Sequence, residues 1–219
     1  MITYNLDSNL MKILPILSVS PLIFLTDTSN TISIIKSLII SFNTIIRIYY
    51  PSTYVPSSKY NDNMISSPFL ARTIATIAEI TFYYEESRFL QINFWNSYFG
   101  FLTILAESFS WCCLLFQSHM FSFFEDSTWT IIQLYAFYIQ TKKNKKDIFY
   151  YICLLFILYM VSTHLINSFK RIKKPYINKY EKTIIRKPNQ FDLSWQIPSL
   201  LILPLGYSYF LLNKKFSPQ

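Results

Sequence analysis

Glycine is nearly missing from this 219-residue chain, which has two, Gly100 and Gly206. Gly-rich phosphate loops and dinucleotide fingerprints need several glycines close together, so neither is present. Histidine is equally scarce, with only His119 and His164, which excludes His-rich di-iron desaturase chemistry. The H-E-x-x-H and G-x-S-x-G patterns of metallopeptidases and serine hydrolases are also lacking. The three cysteines, Cys112, Cys113 and Cys153, fall inside apolar runs and show no metal-ligand spacing. They read as reduced, small apolar side chains. Charge is low too: 15% of residues, against roughly 25% in an ordinary soluble domain.

What fills the space is apolar and aromatic, at 52% and 19% of the chain. The net charge of +8 gathers in Lys142–Lys146 and Lys170–Lys187, between apolar runs rather than within them. Basic loops so placed set membrane orientation, and nucleic acid is not the expected partner. The expected fold class is all-α, a polytopic transmembrane helical bundle of about six spans. Residues 1–66 form an N-terminal region, and 67–219 a single membrane domain. The bilayer is the expected partner, with other membrane subunits as a second. No cofactor or metal is expected.

Met11 to Leu25 is a short apolar run broken by Pro15 and Pro21. It reads as an interfacial segment or short first span, with a signal-peptide core as the alternative. Thr31 to Tyr50 is amphipathic at helical spacing. Ile32, Ile35, Ile39, Phe42, Ile46 and Tyr49 form one stripe, and Lys36, Asn43 and Arg47 lie opposite. Such a helix lies in the interface or spans with its polar side inward. Pro51 and Pro56 end it, and a polar loop follows to Ser66.

Ser67-Pro68 opens the next helix, which runs to at least Tyr84, where the Glu85–Arg88 patch marks a membrane boundary. Ile92–Ser118 is expected as one continuous span, with Trp95 and Tyr98 in an interfacial aromatic belt. Ser122 and Glu125 fit the S-x-x-E capping box, which predicts a helix from near Phe123 to Gln140. After a basic turn, Ile148–Ile166 is an uncharged span. A basic loop over Asn167–Asn189 and an irregular last span, Trp195–Leu212, complete the chain. The Lys170–Lys187 loop carries the greater positive charge, which favours it as cytoplasmic.

Charges inside these apolar runs mark the candidate site, because a charge in a bilayer needs a partner, a cavity or water. Thr103, Glu107, Ser110, Leu114 and Gln117 make one polar stripe at helical spacing. Arg72, Thr76 and Glu79 make a second, beside the small residues Ala71, Ala75 and Ala78 that allow close helix approach. If the helices alternate, Glu79 lies about 15 Å and Glu107 about 18 Å from the same membrane face. The two are therefore expected to face each other and to share a proton or hold a cation. The plainer alternative pairs Glu79 with Lys36 or Arg47. A second cluster gathers on that face: Arg72, expected to pair with Glu125 or Asp126, together with His119 and His164 at two helix ends. Two histidines with carboxylates have metal- or haem-ligating chemistry, but interfacial residues and a helix cap account for them more simply. The expected function is binding or moving a small cation, proton or lipid headgroup. The alternative is a non-catalytic scaffold subunit, and an enzyme is the lesser expectation.

Overall fold

The structure is a computed structural model and describes residues 8–49, 58–59, 67–143, 147–172, 184–185 and 203–215. Nearly all of them are helical. The helices are α1 (Ser8–Leu25), α2 (Thr31–Tyr49), α3 (Pro68–Phe89), α4 (Tyr98–Phe116) and α5 (His119–Lys142). They are followed by α6 (Ile148–Tyr159), a π-helical turn (Met160–Leu165), α7 (Ile166–Ile172) and α8 (203–215). Two strands of two residues, Ser58–Lys59 and Ile184–Ile185, pair in parallel. Internal contacts divide the chain into two compact units, residues 1–82 with 181–219, and residues 83–180.

In the first unit, α1 passes through both proline positions instead of breaking there. Pro21 has no N–H to give to the carbonyl four residues back. Ser20 donates its hydroxyl to that carbonyl of Leu17 at 3.1 Å, which replaces the missing bond. Asn30 then caps α2 by accepting from the backbone N–H groups of Ile32 and Ser33. The side chains of α2 are distributed inside out. Ser33, Ser37, Asn43 and Thr44 are buried with Ile40, whereas Ile32, Ile35, Leu38 and Phe42 are exposed. In α3, Ala71, Ala75 and Ala78 are buried, and Phe82 packs on Phe210 of α8 at 5.5 Å between ring centroids. Gly206 makes room for that ring, since a Cβ there would lie 2.8 Å from it.

In the second unit, the expected continuous helix from Ile92 is shorter. Gln91 takes a left-handed backbone (φ 57°), a 3-10 turn covers Phe94–Asn96, and α4 starts only at Tyr98. Ser97 caps it by accepting from the Gly100 N–H. Gly100 itself lies so close to the Phe94 carbonyl that an added Cβ would overlap the oxygen, at 1.9 Å. Trp95 and Tyr98 are exposed beside this turn. The capping-box expectation fails in a similar way. Ser118, not Ser122, stands at the N-cap of α5, so Ser122 and Glu125 are buried inside the helix. Asp147 caps α6 by accepting from the Tyr150 N–H at 3.0 Å. The helix that follows does not stop at Ile166, but continues through the π turn to Ile172.

Among the described residues, two helices are long and apolar enough to cross a membrane, Tyr98–Phe116 and the continuous Ile148–Ile172. Most of the expected 51–66 loop, most of the basic loop after Ile172 and the first part of the expected last span, 195–202, fall outside the described residues, while the rest of that span is helical in α8.

Candidate functional site

Helix α3 carries Arg72 and Glu79 two turns apart on one face, about 10.5 Å along the axis. The side chains close that gap: Arg72 Nη2 lies 3.1 Å from Glu79 Oε2, and both residues are buried. Glu79 thus has a cation from its own helix, seven residues back. Removing one partner of a buried ion pair strands the other, at a typical cost of about 3–5 kcal/mol.

The predicted polar stripe of α4 is inward. Thr103, Glu107, Ser110 and Leu114 are all buried, and Gln117 is half-buried in a left-handed C-cap with φ 51°. The same holds for the acidic pair of α5, where Glu125 and Asp126 are both buried. His119 is half-buried as the first residue of α5, not the last of the preceding helix. Glu79 and Arg72 belong to the first unit, and Glu107, Glu125 and Asp126 to the second.

Within the second unit, the buried ionisable side chains of Asp126 and His164 lie side by side. His164 lies inside the π turn, not at a helix end. Its Nδ1 is 3.6 Å from Asp126 Oδ1, and its Nε2 is 2.9 Å from the Tyr159 hydroxyl. Ser168, one α-turn further on, donates its hydroxyl to Asp126 Oδ2. Asp126, His164 and Ser168 are all buried. The π turn is what makes this possible. In an α-helix, residues five apart point about 140° away from each other. The wider i→i+5 ring brings Tyr159 and His164 to the same side. Among the described residues, no three His, Cys, Asp or Glu side chains converge as a metal site requires.

A second buried acid, Glu86, was not among the residues singled out from the sequence. It is fully buried in the patch expected to be a membrane boundary. Gln133 of α5 points its amide nitrogen at Glu86 Oε2 and at the Tyr83 hydroxyl, both at 3.4 Å. Tyr83 in turn stacks on Trp129, with ring centroids 4.6 Å apart. The patch lies beyond the apolar run ending at Tyr84. There, loss of hydration pushes the Glu86 carboxyl up to about 8, against the smaller opposing pull of the Gln133 hydrogen bond. A signal for Glu86 was available: Arg72, Glu79 and Glu86 repeat every seven residues, so all three share one face of α3.

The class defined by these observations is an all-helical chain with two helices able to cross a membrane and polar side chains buried among them. No family model, curated protein or solved structure matches the chain.

Proposed function

We propose that the chain is a multi-pass integral membrane protein whose buried carboxylates bind or move a proton or a small cation. The observation that carries this reading is the reversal of polarity across the helices. Arg72, Glu79, Glu107, Glu125 and Asp126 are buried, while Phe24, Ile32, Phe69, Phe101, Leu155 and Leu158 are exposed. In water that arrangement is unfavourable at both surfaces, since burial of apolar area drives folding and buried charge opposes it. In a bilayer both terms change sense, because the outer surface meets hydrocarbon and inward polar groups find partners.

The same reversal supports the count of about six spans. Helices α3 and α5 have low average apolarity because one face of each is polar, but that face is buried and the outward residues are apolar, while α2 is apolar over Thr31–Ile46. Examples are Ile77 on α3 and Ile131, Leu134 and Tyr138 on α5. In this reading residues 67–219 form one membrane domain. The Lys170–Lys187 loop is cytoplasmic.

Single-cysteine accessibility in intact membranes tests the topology: Arg88 and Asn144 are expected on one face and Lys174 on the other. Purified protein in liposomes, loaded with a pH- or cation-sensitive dye, tests the activity. Glu107→Gln keeps shape and most hydrogen bonding, so loss of flux in this variant supports a carboxylate site. A scaffold subunit, the second reading, gives no flux in either form and tolerates the change with unaltered assembly.

A further inference from the structure

Resting on that reading, we infer that the moved or bound species is a proton and that its acceptor is the imidazole of His164, held between Asp126 and Tyr159 in the π turn. The geometry assigns each nitrogen a role. Asp126 Oδ1 lies on the Nδ1 side at 3.6 Å, so neutral His164 keeps its hydrogen on Nδ1, facing the carboxylate. Nε2 is then left with its lone pair toward the Tyr159 hydroxyl at 2.9 Å, which donates to it. When a proton arrives, Nε2 takes it and becomes a donor, and the Tyr159 hydroxyl turns to accept. One proton is gained, no bond between heavy atoms changes, and the imidazolium charge is balanced by the Asp126 carboxylate.

The surroundings suit this task. Ser168 donates to Asp126 Oδ2 and so holds the carboxylate in place while His164 changes state. The elements that pack on the π turn are α5, α6 and α7. Their ionisable groups nearest it in sequence are Glu125 and Asp126, Tyr159, and Lys170 and Arg171. Lys170 is exposed, and Arg171 uses its Nε on the Asn167 carbonyl of its own helix at 3.2 Å. Asp126, at 3.6 Å, is the carboxylate that the geometry places beside the Nδ1 side of His164. A π turn within an α-helix is a strained insertion that is frequent at functional sites. Here it aims one of only two histidines in the chain at a carboxylate on the neighbouring helix.

The scarcity of histidine makes the inference measurable. The full chain is labelled with 15N-histidine, placed in lipid nanodiscs and followed by NMR between about pH 5 and 8. His119→Gln removes one of the two signals and assigns the other. The expected result is a neutral His164 with its hydrogen on Nδ1 that converts to imidazolium as the pH falls. Asp126→Asn shifts the tautomer ratio several-fold toward Nε2–H, because the attraction of the carboxylate for the Nδ1 hydrogen is removed. Tyr159→Phe, which leaves the carboxylate in place, alters the Nε2 resonance and spares Nδ1. A His164 that stays neutral throughout, rests in the other tautomer or ignores Asp126→Asn overturns the inference. If His164 titrates but liposomes show no flux, the proton site stands and the transport reading falls. If flux persists with an inert His164, the reverse holds.

Discussion

Two buried acids, Asp126 in the first half of α5 and Glu86 of α3 beside its second half, have received different surroundings. Asp126 has a histidine at 3.6 Å and a serine hydroxyl bound to its other oxygen, both from the helix that contains the π turn. Glu86 has a glutamine amide at 3.4–3.5 Å, at the outer limit of a hydrogen bond, and a tyrosine–tryptophan stack beside it. The first acid is surrounded by groups that can exchange a proton. The second is surrounded by groups that cannot relieve its charge, so it keeps its proton and behaves as a neutral packing group near neutrality. Equal burial thus leaves the two acids with different partners.

That contrast is sharpest at Asp126. Asp126→Ala leaves Ser168 buried without its acceptor and His164 without the neighbouring carboxylate, and is expected to destabilise the second unit by about 2–3 kcal/mol. Thermal unfolding in detergent, followed by helical circular dichroism, reads this directly. A loss under about 1 kcal/mol would erase the difference between the two acids.

Glu86 is expected to act through pH. Its folded-state pKa is raised from 4.5 to about 8, so between those values the folded chain holds a proton that the unfolded chain releases. Stability is therefore fullest below about 4.5 and falls as the pH rises toward about 8. Glu86→Gln removes this slope, and parallel melting curves at pH 5, 6.5 and 8 show it. A wild type that gains stability over this window contradicts the assignment of Glu86 as a protonated group.

Smaller effects refine the comparison. Ser168→Ala removes one hydrogen bond to a carboxylate and is expected to cost about 1.5 kcal/mol by the same melting measurement. Gln133→Leu removes only long contacts to an acid that is already neutral, and at pH 6 is expected to cost under about 0.5 kcal/mol. Equal losses in the two variants would mean that the two ends of α5 are alike.

Much of this was readable from residue spacing. The inward stripes of α3 and α4 were legible because side-chain direction repeats every 3.6 residues whatever the solvent, and a charged residue in an apolar run must face inward. The start of α3 was legible from Ser67-Pro68. The less legible parts depended on choices between equivalent local signals. Ser118 and Ser122 are both credible caps for α5, and the choice of Ser122 gave Glu125 a false surface role. The Glu85–Arg88 patch looked like a helix end because its charges are adjacent, although Glu86 continues the seven-residue series of Arg72 and Glu79. His164 was misjudged for another reason: nothing in Met160–Leu165 distinguishes a π turn from an α turn, because the difference lies in one backbone step.

That step also decides which changes of chain length the second unit can absorb. A π turn holds one residue more than the α turn it replaces. Deleting exposed Val161 would therefore turn it into an α turn and leave the residues on either side in phase, with Tyr159 and His164 now four apart on one face. Deleting exposed Ile166 from the α-helical segment beyond it would instead rotate everything after it by about 100°. Ser168 would then swing away from Asp126, although the segment would remain nearly as apolar and nearly as long. A substitution removes one participant at a time, whereas this second deletion would leave all four side chains present and put one of them out of phase.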